Sequence, residues 1–385
     1  MAHQALNRAE NAAERVWREV QEPAGYWFLG LSITYLVALF VWVFFRSHFP
    51  FVHIITRGDS RIYIHIALFG YKFGDPRVAF YPLYPIIIRV LSLLLFGRVS
   101  FGVAAISALI ISGASSLWGI ILLDRICRRY LNDQSRRLCL ILWVLSPASV
   151  FLAVGYSMSL FLSFVMTGFL AAEDENWWSA GGNIALACLT WPLGYLAYLA
   201  IVAYCFSVVR RRPGYRLTLQ LIGGLLLPLA AAGLYMTYFA IMFHDPLASL
   251  HAEQSNWQQH LIPIWQFPAF IAIMFVGSAG MPWFSLILSL SYVGLMASII
   301  FYAFMLKDQR FPPLLKLYTG LILASILFRS SGMSIPRFLI AAFPLFLILA
   351  DRYQSPKSHR WATILVFLYL NLMGTAIYMM GGPNF

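Results

Sequence analysis

Five uninterrupted apolar stretches set the strongest limit on what this chain can fold into: Trp27 to Phe45, Phe101 to Leu123, Leu217 to Phe243, Trp283 to Leu306 and Trp361 to Met380. Each is close to, or beyond, the ~20 residues a helix needs to cross a bilayer core of about 30 Å. A water-soluble fold cannot hide all five. Only 11% of the residues are charged and 61% are hydrophobic, whereas about a quarter of a soluble domain is charged. The expected fold class is an all-α polytopic membrane protein.

The formal net charge of +12 would raise nucleic acid as a partner if the chain were soluble. Here the cations collect in short stretches beside the spans. They are Arg125, Arg128, Arg129, Arg136 and Arg137; Arg210, Arg211, Arg212 and Arg216; Lys307, Arg310 and Lys316; and Arg352, Lys357 and Arg360. That is the bias of cytoplasmic loops, so membrane lipids and not nucleic acid are expected around them. Residues 1–23 carry a mixed-charge helical pattern (Arg8, Glu10, Glu14, Arg15, Arg18, Glu19) without an apolar core. They read as an amphipathic helix on the cytoplasmic surface, with 24–385 as a single transmembrane domain. Cys127, Cys139, Cys188 and Cys205 lie in or next to spans at no metal-ligand spacing and read as small buried hydrophobes.

With the basic clusters inside, the first span emerges near His48. This puts a helical first external loop at about 47–79, a second at about 244–266 and a third at Ser330 to Arg337. Leu138 to Leu152 reads as an outgoing span and Ser159 to Ala172 as its return. Ile184 to Thr190 and Tyr195 to Phe206 are two limbs of a helix broken at Pro192 and Gly194. Counting Phe80 to Phe96 as a span turns Phe101 to Leu123 the wrong way for its arginine-rich end. The expectation therefore stays at about ten to twelve transmembrane helices. No internal repeat is apparent, which disfavours a transporter built from repeated halves.

The first external loop concentrates polar groups: Arg57, Asp59, Ser60, Arg61, His65, Lys72, Asp75 and Arg77. A carboxylate held beside a membrane can act as a general base, and such bases contribute about 10² to 10⁴ in rate. Flanking cations would keep Asp59 ionised and could hold a lipid phosphate; the bland alternative is a solvated loop whose arginines touch headgroups. Arg89, inside an apolar run, should face a cavity or snorkel outward. Arg329 and Arg337 flank the third loop and allow the same two readings. His65 lies six residues after Asp59, off the i, i+4 spacing of a helical ligand pair. No metal ligands or cofactor are assigned, and a divalent metal is left open, with Asp59, His65 and Asp75 as the candidates.

Several blocks resemble the PIG-V family, the second mannosyltransferases of glycosylphosphatidylinositol-anchor synthesis and their prokaryotic relatives. The first is Gly58-Asp59-Ser60, Tyr63, Ile66-Ala67, Gly70-Tyr71, Ala79-Phe80-Tyr81-Pro82-Leu83-Tyr84-Pro85 and Ile88-Arg89. The next are Ser146-Pro147-Ala148-Ser149, Phe151-Leu152 and Tyr156-Ser157-Met158-Ser159-Leu160-Phe161, then Leu189-Thr190-Trp191-Pro192-Leu193-Gly194. Weaker echoes follow in Asp245-Pro246-Leu247-Ala248 with Gln254 and Trp257, and in Pro336-Arg337-Phe338 with Phe343-Pro344-Leu345-Phe346.

The resemblance implies a GT-C-like fold and a lipid-phosphate-linked sugar as donor, with Asp59 as the catalytic base that takes the proton from the acceptor hydroxyl. It implies an inverting glycosyltransferase that moves a sugar, mannose in the family, from a polyprenyl phosphate to an acceptor on the outer face. Arg57, Ser60, Arg61, Tyr63, His65, Tyr81, Arg89, Tyr156 and Arg337 are the expected substrate-binding residues. Three positions depart from the family pattern: Gly58 where tryptophan is usual, Met158 where glutamate is, and Trp191 where arginine is. The last two remove charged side chains, and with them comes an alternative, a non-catalytic relative that binds a lipid carrier or serves as a partner subunit.

Overall fold

The computed structural model describes residues 2–211, 215–257, 261–277, 282–329 and 334–381. Arg212, the tip 258–260 of the second loop and 330–333 of the third lie outside the described residues. Among the described residues the architecture is all-helical, as expected. The helices are α1 Ala2–Phe45, α2 Phe51–Ile55, α3 Asp59–Phe69, α4 Leu83–Phe96, α5 Phe101–Tyr130, α6 Asp133–Val144, α7 Val150–Ala153, α8 Met158–Glu173 and α9 Trp177–Thr190. They continue as α10 Gly194–Arg211, α11 Tyr215–Phe243, α12 Ala248–Trp257, α13 Phe267–Gly277, α14 Pro282–Lys307, α15 Pro313–Leu327, α16 Ile335–Ala341, α17 Pro344–Tyr353 and α18 Lys357–Met380.

Among the described residues five segments are long and apolar enough to cross a membrane: Glu19–Phe45, Phe101–Tyr130, Leu219–Phe243, Ser285–Lys307 and Lys357–Met380. These are the five stretches read from the sequence. Their outward faces leave Phe28, Leu36, Leu234, Ile241, Val293 and Leu365 exposed, which suits a lipid surface and no aqueous one. Residues 2–23 and the first span form one helix, α1, with Pro23 inside it.

Two interruptions shape the interior. The expected break at Pro192 separates α9 from α10. The expected single span Leu138 to Leu152, by contrast, is two helices, α6 and the one-turn α7, parted at Ser146-Pro147-Ala148-Ser149. Proline lacks the N–H and sterically opposes a continuous helix. Backbone freed at that depth needs a protein partner, and buried Asn371 of α18 supplies one. Its amide donates to the Ser146 carbonyl at 2.9 Å and to the Ser149 hydroxyl at 2.6 Å.

Elsewhere the helices pack backbone to backbone. A Cβ on Gly181 of α9 would lie 1.9 Å from the Gly224 carbonyl oxygen of α11, the close approach that small residues permit between membrane helices. At one end of the bundle a buried ion network joins three helices. Arg136 of α6 bonds Asp124 of α5 and Glu22 of α1, while Arg128 bonds Asp124 at 2.7 Å. Part of the first arginine cluster is thus engaged in holding helices together.

Candidate active site

The first loop folds into α2, α3 and a short 3-10 turn at Pro76–Ala79. Gly58 turns the chain into α3 with φ 55° and ψ −131°, a conformation that a residue with a Cβ strongly disfavours. The helix therefore starts at Asp59, whose carboxylate sits in the first turn, where the helix dipole favours negative charge.

Arg337, 278 positions further along the chain, meets it. A guanidinium N–H of Arg337 donates to the Asp59 carboxylate, and their side chains are 14% and 18% exposed. The second terminal nitrogen donates to Ser334 Oγ at 2.6 Å, while the Nε–H is buried without a partner. The guanidinium carbon lies 5.5 Å from the Phe151 ring centroid and 5.7 Å from that of Tyr156, within cation–π range. Burial pulls the guanidinium's pKa down, but Asp59, Tyr156 and Tyr63 outweigh it and hold it above its ordinary value. Arg337 is thus a fixed cation at any physiological pH.

Tyrosines and serines close the base of the site. The Asp59 backbone N–H donates to Tyr156 Oη at 3.1 Å. Tyr63 and Ser157 share a hydrogen bond of 2.8 Å. Ser60 Oγ is buried without a partner and faces Gly155, whose added Cβ would fall 2.6 Å from it. Burial pushes the Tyr63 and Tyr156 hydroxyls well up, so both stay neutral.

The site thus gathers Asp59, Ser60, Tyr63, Tyr156 and Arg337 from the expected residues. Others lie apart. Arg57 reaches the end of α18, donating to the Met379 carbonyl at 3.3 Å, and Arg61 turns to the His53 carbonyl at 3.4 Å. Arg89 caps the end of α3 through the Ala67 and Leu68 carbonyls at 2.9 and 3.2 Å. His65 packs its ring near Phe69 and Phe101, and Tyr81 stacks on Tyr235 with centroids 5.0 Å apart. Asp75 is engaged by Arg77, so Asp59, His65 and Asp75 have separate surroundings. Among the described residues no group of three His, Cys, Asp or Glu side chains stands together. Arg329 pairs with Glu253 of α12 at 3.2 Å.

Phe151, Ser157 and Ser334 belong to the site and were not singled out as binding residues from the sequence. The first two stand inside the quoted motif blocks; Ser334 had no signal beyond its nearness to Arg337. An apolar cavity of about 330 Å³ opens between α14, α16, α17 and α18. Pro336, Leu339 and Ile340 line it. At about 100° per residue they share one face of α16, with Arg337 on the adjoining side.

A profile of the family described as mannosyltransferase (PIG-V) matches residues 51–369. The chain belongs to the PIG-V family. GPI mannosyltransferase 2 of Yarrowia lipolytica (strain CLIB 122 / E 150) is 26% identical over 160 residues, 41% of this chain. The match spans 43% of that relative's length, under half of it. Two solved structures are similar at TM-scores of 0.48 each. ArnT from Cupriavidus metallidurans, bound to undecaprenyl phosphate, is 16% identical over 92% of this chain and 63% of its own. The oligosaccharyltransferase AglB from Archaeoglobus fulgidus, in complex with an inhibitory peptide and a dolichol-phosphate, is 14% identical over 93% of this chain and 56% of its own.

Two of the positions that depart from the PIG-V pattern, Met158 and Trp191, are filled by apolar contacts. Met158 is 4% exposed within the main core. Trp191 sets its ring 5.2 Å from that of Phe161 and 5.3 Å from that of Phe338. Tryptophan at position 58, usual in PIG-V, would hold this backbone at a cost of about 1–3 kcal/mol.

Proposed function

We propose that the chain is an inverting glycosyltransferase that takes a sugar from a polyprenyl-phosphate donor, with mannose the sugar the family suggests, on the extracytoplasmic side of the membrane. The observation that carries this reading is a buried contact between a carboxylate and a guanidinium, Asp59 and Arg337, the latter on the helix whose Pro336, Leu339 and Ile340 also line an apolar cavity.

In the reaction the acceptor hydroxyl oxygen attacks the anomeric carbon and its proton passes to Asp59. The bond from the anomeric carbon to the phosphate oxygen breaks with its electron pair on the phosphate. Polyprenyl phosphate leaves, and attack from the opposite face inverts the sugar. Arg337 meets the charge that develops on the leaving oxygen, in a partly dry site where such contacts count for more than in water. The isoprenoid chain takes the apolar cavity, whose volume suits one lipid segment and offers little polar lining.

Membranes containing the protein, supplied with labelled polyprenyl-phosphate mannose, should transfer label to endogenous acceptors. Asp59→Asn should abolish transfer at unchanged expression, and undiminished transfer by that variant would exclude Asp59 as the base. A second reading is favoured by one observation, the apolar packing of Met158 and Trp191. On it the chain binds the lipid carrier without chemistry, and neither form transfers any sugar of a panel.

A further inference from the structure

We infer that the Asp59–Arg337 ion pair is a latch opened by the donor's own phosphate, so that the catalytic base is masked until a lipid-linked phosphate occupies the site. This rests on the reading of Asp59 as base and Arg337 as phosphate ligand.

A carboxylate locked onto a guanidinium is a poor proton acceptor, because taking a proton would dissolve the pair. In the resting site Arg337 gives one terminal nitrogen to Asp59 and the other to Ser334, and its Nε–H is buried with no acceptor. A buried donor left unmade is costly, so the guanidinium has an unmet demand the carboxylate does not fill. A phosphate has several acceptor oxygens and bonds the guanidinium fork through two of them. It can take the nitrogen now on Asp59 with one oxygen and, with a second, the facing N–H of the nitrogen that Ser334 anchors.

The aromatic faces of Phe151 and Tyr156 flank the guanidinium, and Ser334 anchors it. The cation is the fixed member of the pair. Asp59 is the one released, still at the start of α3 with its backbone N–H on Tyr156.

The same exchange closes the cycle. Once Asp59 has taken the acceptor's proton it is neutral and cannot compete for Arg337, so polyprenyl phosphate stays bound. When the carboxyl gives that proton to water, the regenerated carboxylate reclaims Arg337 and displaces the product. Donor binding must precede acceptor activation, and product release is tied to deprotonation of Asp59.

The test is equilibrium binding of undecaprenyl phosphate, which carries no sugar, to the full chain in nanodiscs, with undecaprenol as the uncharged control. Asp59→Asn should bind the phosphate more tightly, by roughly tenfold, because Arg337 no longer has to leave a carboxylate. Arg337→Gln should weaken binding by at least the same factor, and the double variant should behave as Arg337→Gln. Undecaprenol affinity should be the same in all forms, which reports that the lipid cavity is intact; if Asp59→Asn fails to fold, Asp59→Ser carries the same expectation.

Unchanged or weaker phosphate binding by a folded Asp59 variant overturns the latch, as does unchanged binding by Arg337→Gln. The two readings separate cleanly. Tightened binding with no sugar transfer keeps the latch and sinks the transferase; transfer by wild type with no change of affinity does the reverse.

Discussion

The Tyr156 hydroxyl accepts the backbone N–H of Asp59 at 3.1 Å, so a residue of the second motif holds the first turn of the helix that begins the first. An early helical N–H has no acceptor within its own helix, and Tyr156 provides one from a buried position. The tyrosine also lies against the Arg337 guanidinium. One side chain thus orients both members of the ion pair.

Tyr156→Phe keeps the ring and removes the acceptor. The expected loss of stability is about 1 kcal/mol, that of one hydrogen bond. Turnover in the mannose transfer assay should fall by about tenfold, with donor KM nearly unchanged, because the phenyl face still flanks Arg337. Wild-type turnover in Tyr156→Phe would remove the tyrosine from the positioning of Asp59.

Much of this arrangement is visible in the sequence, and what is not has a physical reason. The long spans, the break at Pro192 and a helical first loop follow from apolar runs, proline chemistry and the polar loop around Asp59. The partner of Asp59 does not. Arg57 and Arg61 are its near neighbours in sequence, but Arg57 precedes the helix that starts at Asp59, and Arg61, two residues on within it, does not face Asp59. The former turns to the end of α18 and the latter to the His53 carbonyl. The cation that meets the carboxylate comes from α16, across a separation that no local pattern records. The run Leu138 to Leu152 reads as one span because apolar content alone cannot tell one long helix from two short buried ones.

Asn371 illustrates how the second break is tolerated. Replacing it with leucine keeps the volume and removes both donors to Ser146 and Ser149. A buried carbonyl then lacks its partner, which costs about 1–3 kcal/mol. A lower thermal midpoint in detergent is expected. Polyprenyl-phosphate binding should also weaken, since Phe151 of α7 follows the freed segment directly and flanks Arg337. Asn371→Leu with wild-type thermal stability would show that water satisfies the break instead.

The first loop should loosen in acid. Asp75 accepts the Arg77 backbone N–H and its side-chain Nε–H, each at 2.8 Å, and the Arg77 side chain foremost holds this carboxyl below the usual aspartate range. A carboxyl lowered in the folded state stabilises it fully above the unfolded value, about 3.9, and loses that contribution as pH falls through the lower folded value. The 3-10 turn it caps packs on α12. Hydrogen exchange of the amides of 77–80 should therefore be slower in wild type than in Asp75→Asn at pH 6, with the difference shrinking as pH falls below the ordinary aspartate range. A difference that persists at low pH would assign the protection to packing alone.

Met158 is where a glutamate is usual in the family, and its surroundings say what restoring one would do. The side chain is 4% exposed among core residues, and its neighbour Ser159 has a buried hydroxyl without a partner. A carboxylate introduced there would have to leave water, and burying a polar group without a matched partner costs on the order of 2–4 kcal/mol. The cation that family members carry at the position of Trp191 is absent, its place taken by a ring packed between Phe161 and Phe338. Met158→Glu alone should thus lower the thermal midpoint and give no gain in transfer. Adding Trp191→Arg should recover part of the lost stability if the two family positions act as a pair. A double variant no more stable than Met158→Glu would mean that this chain has repacked around its own residues and that the two positions are independent.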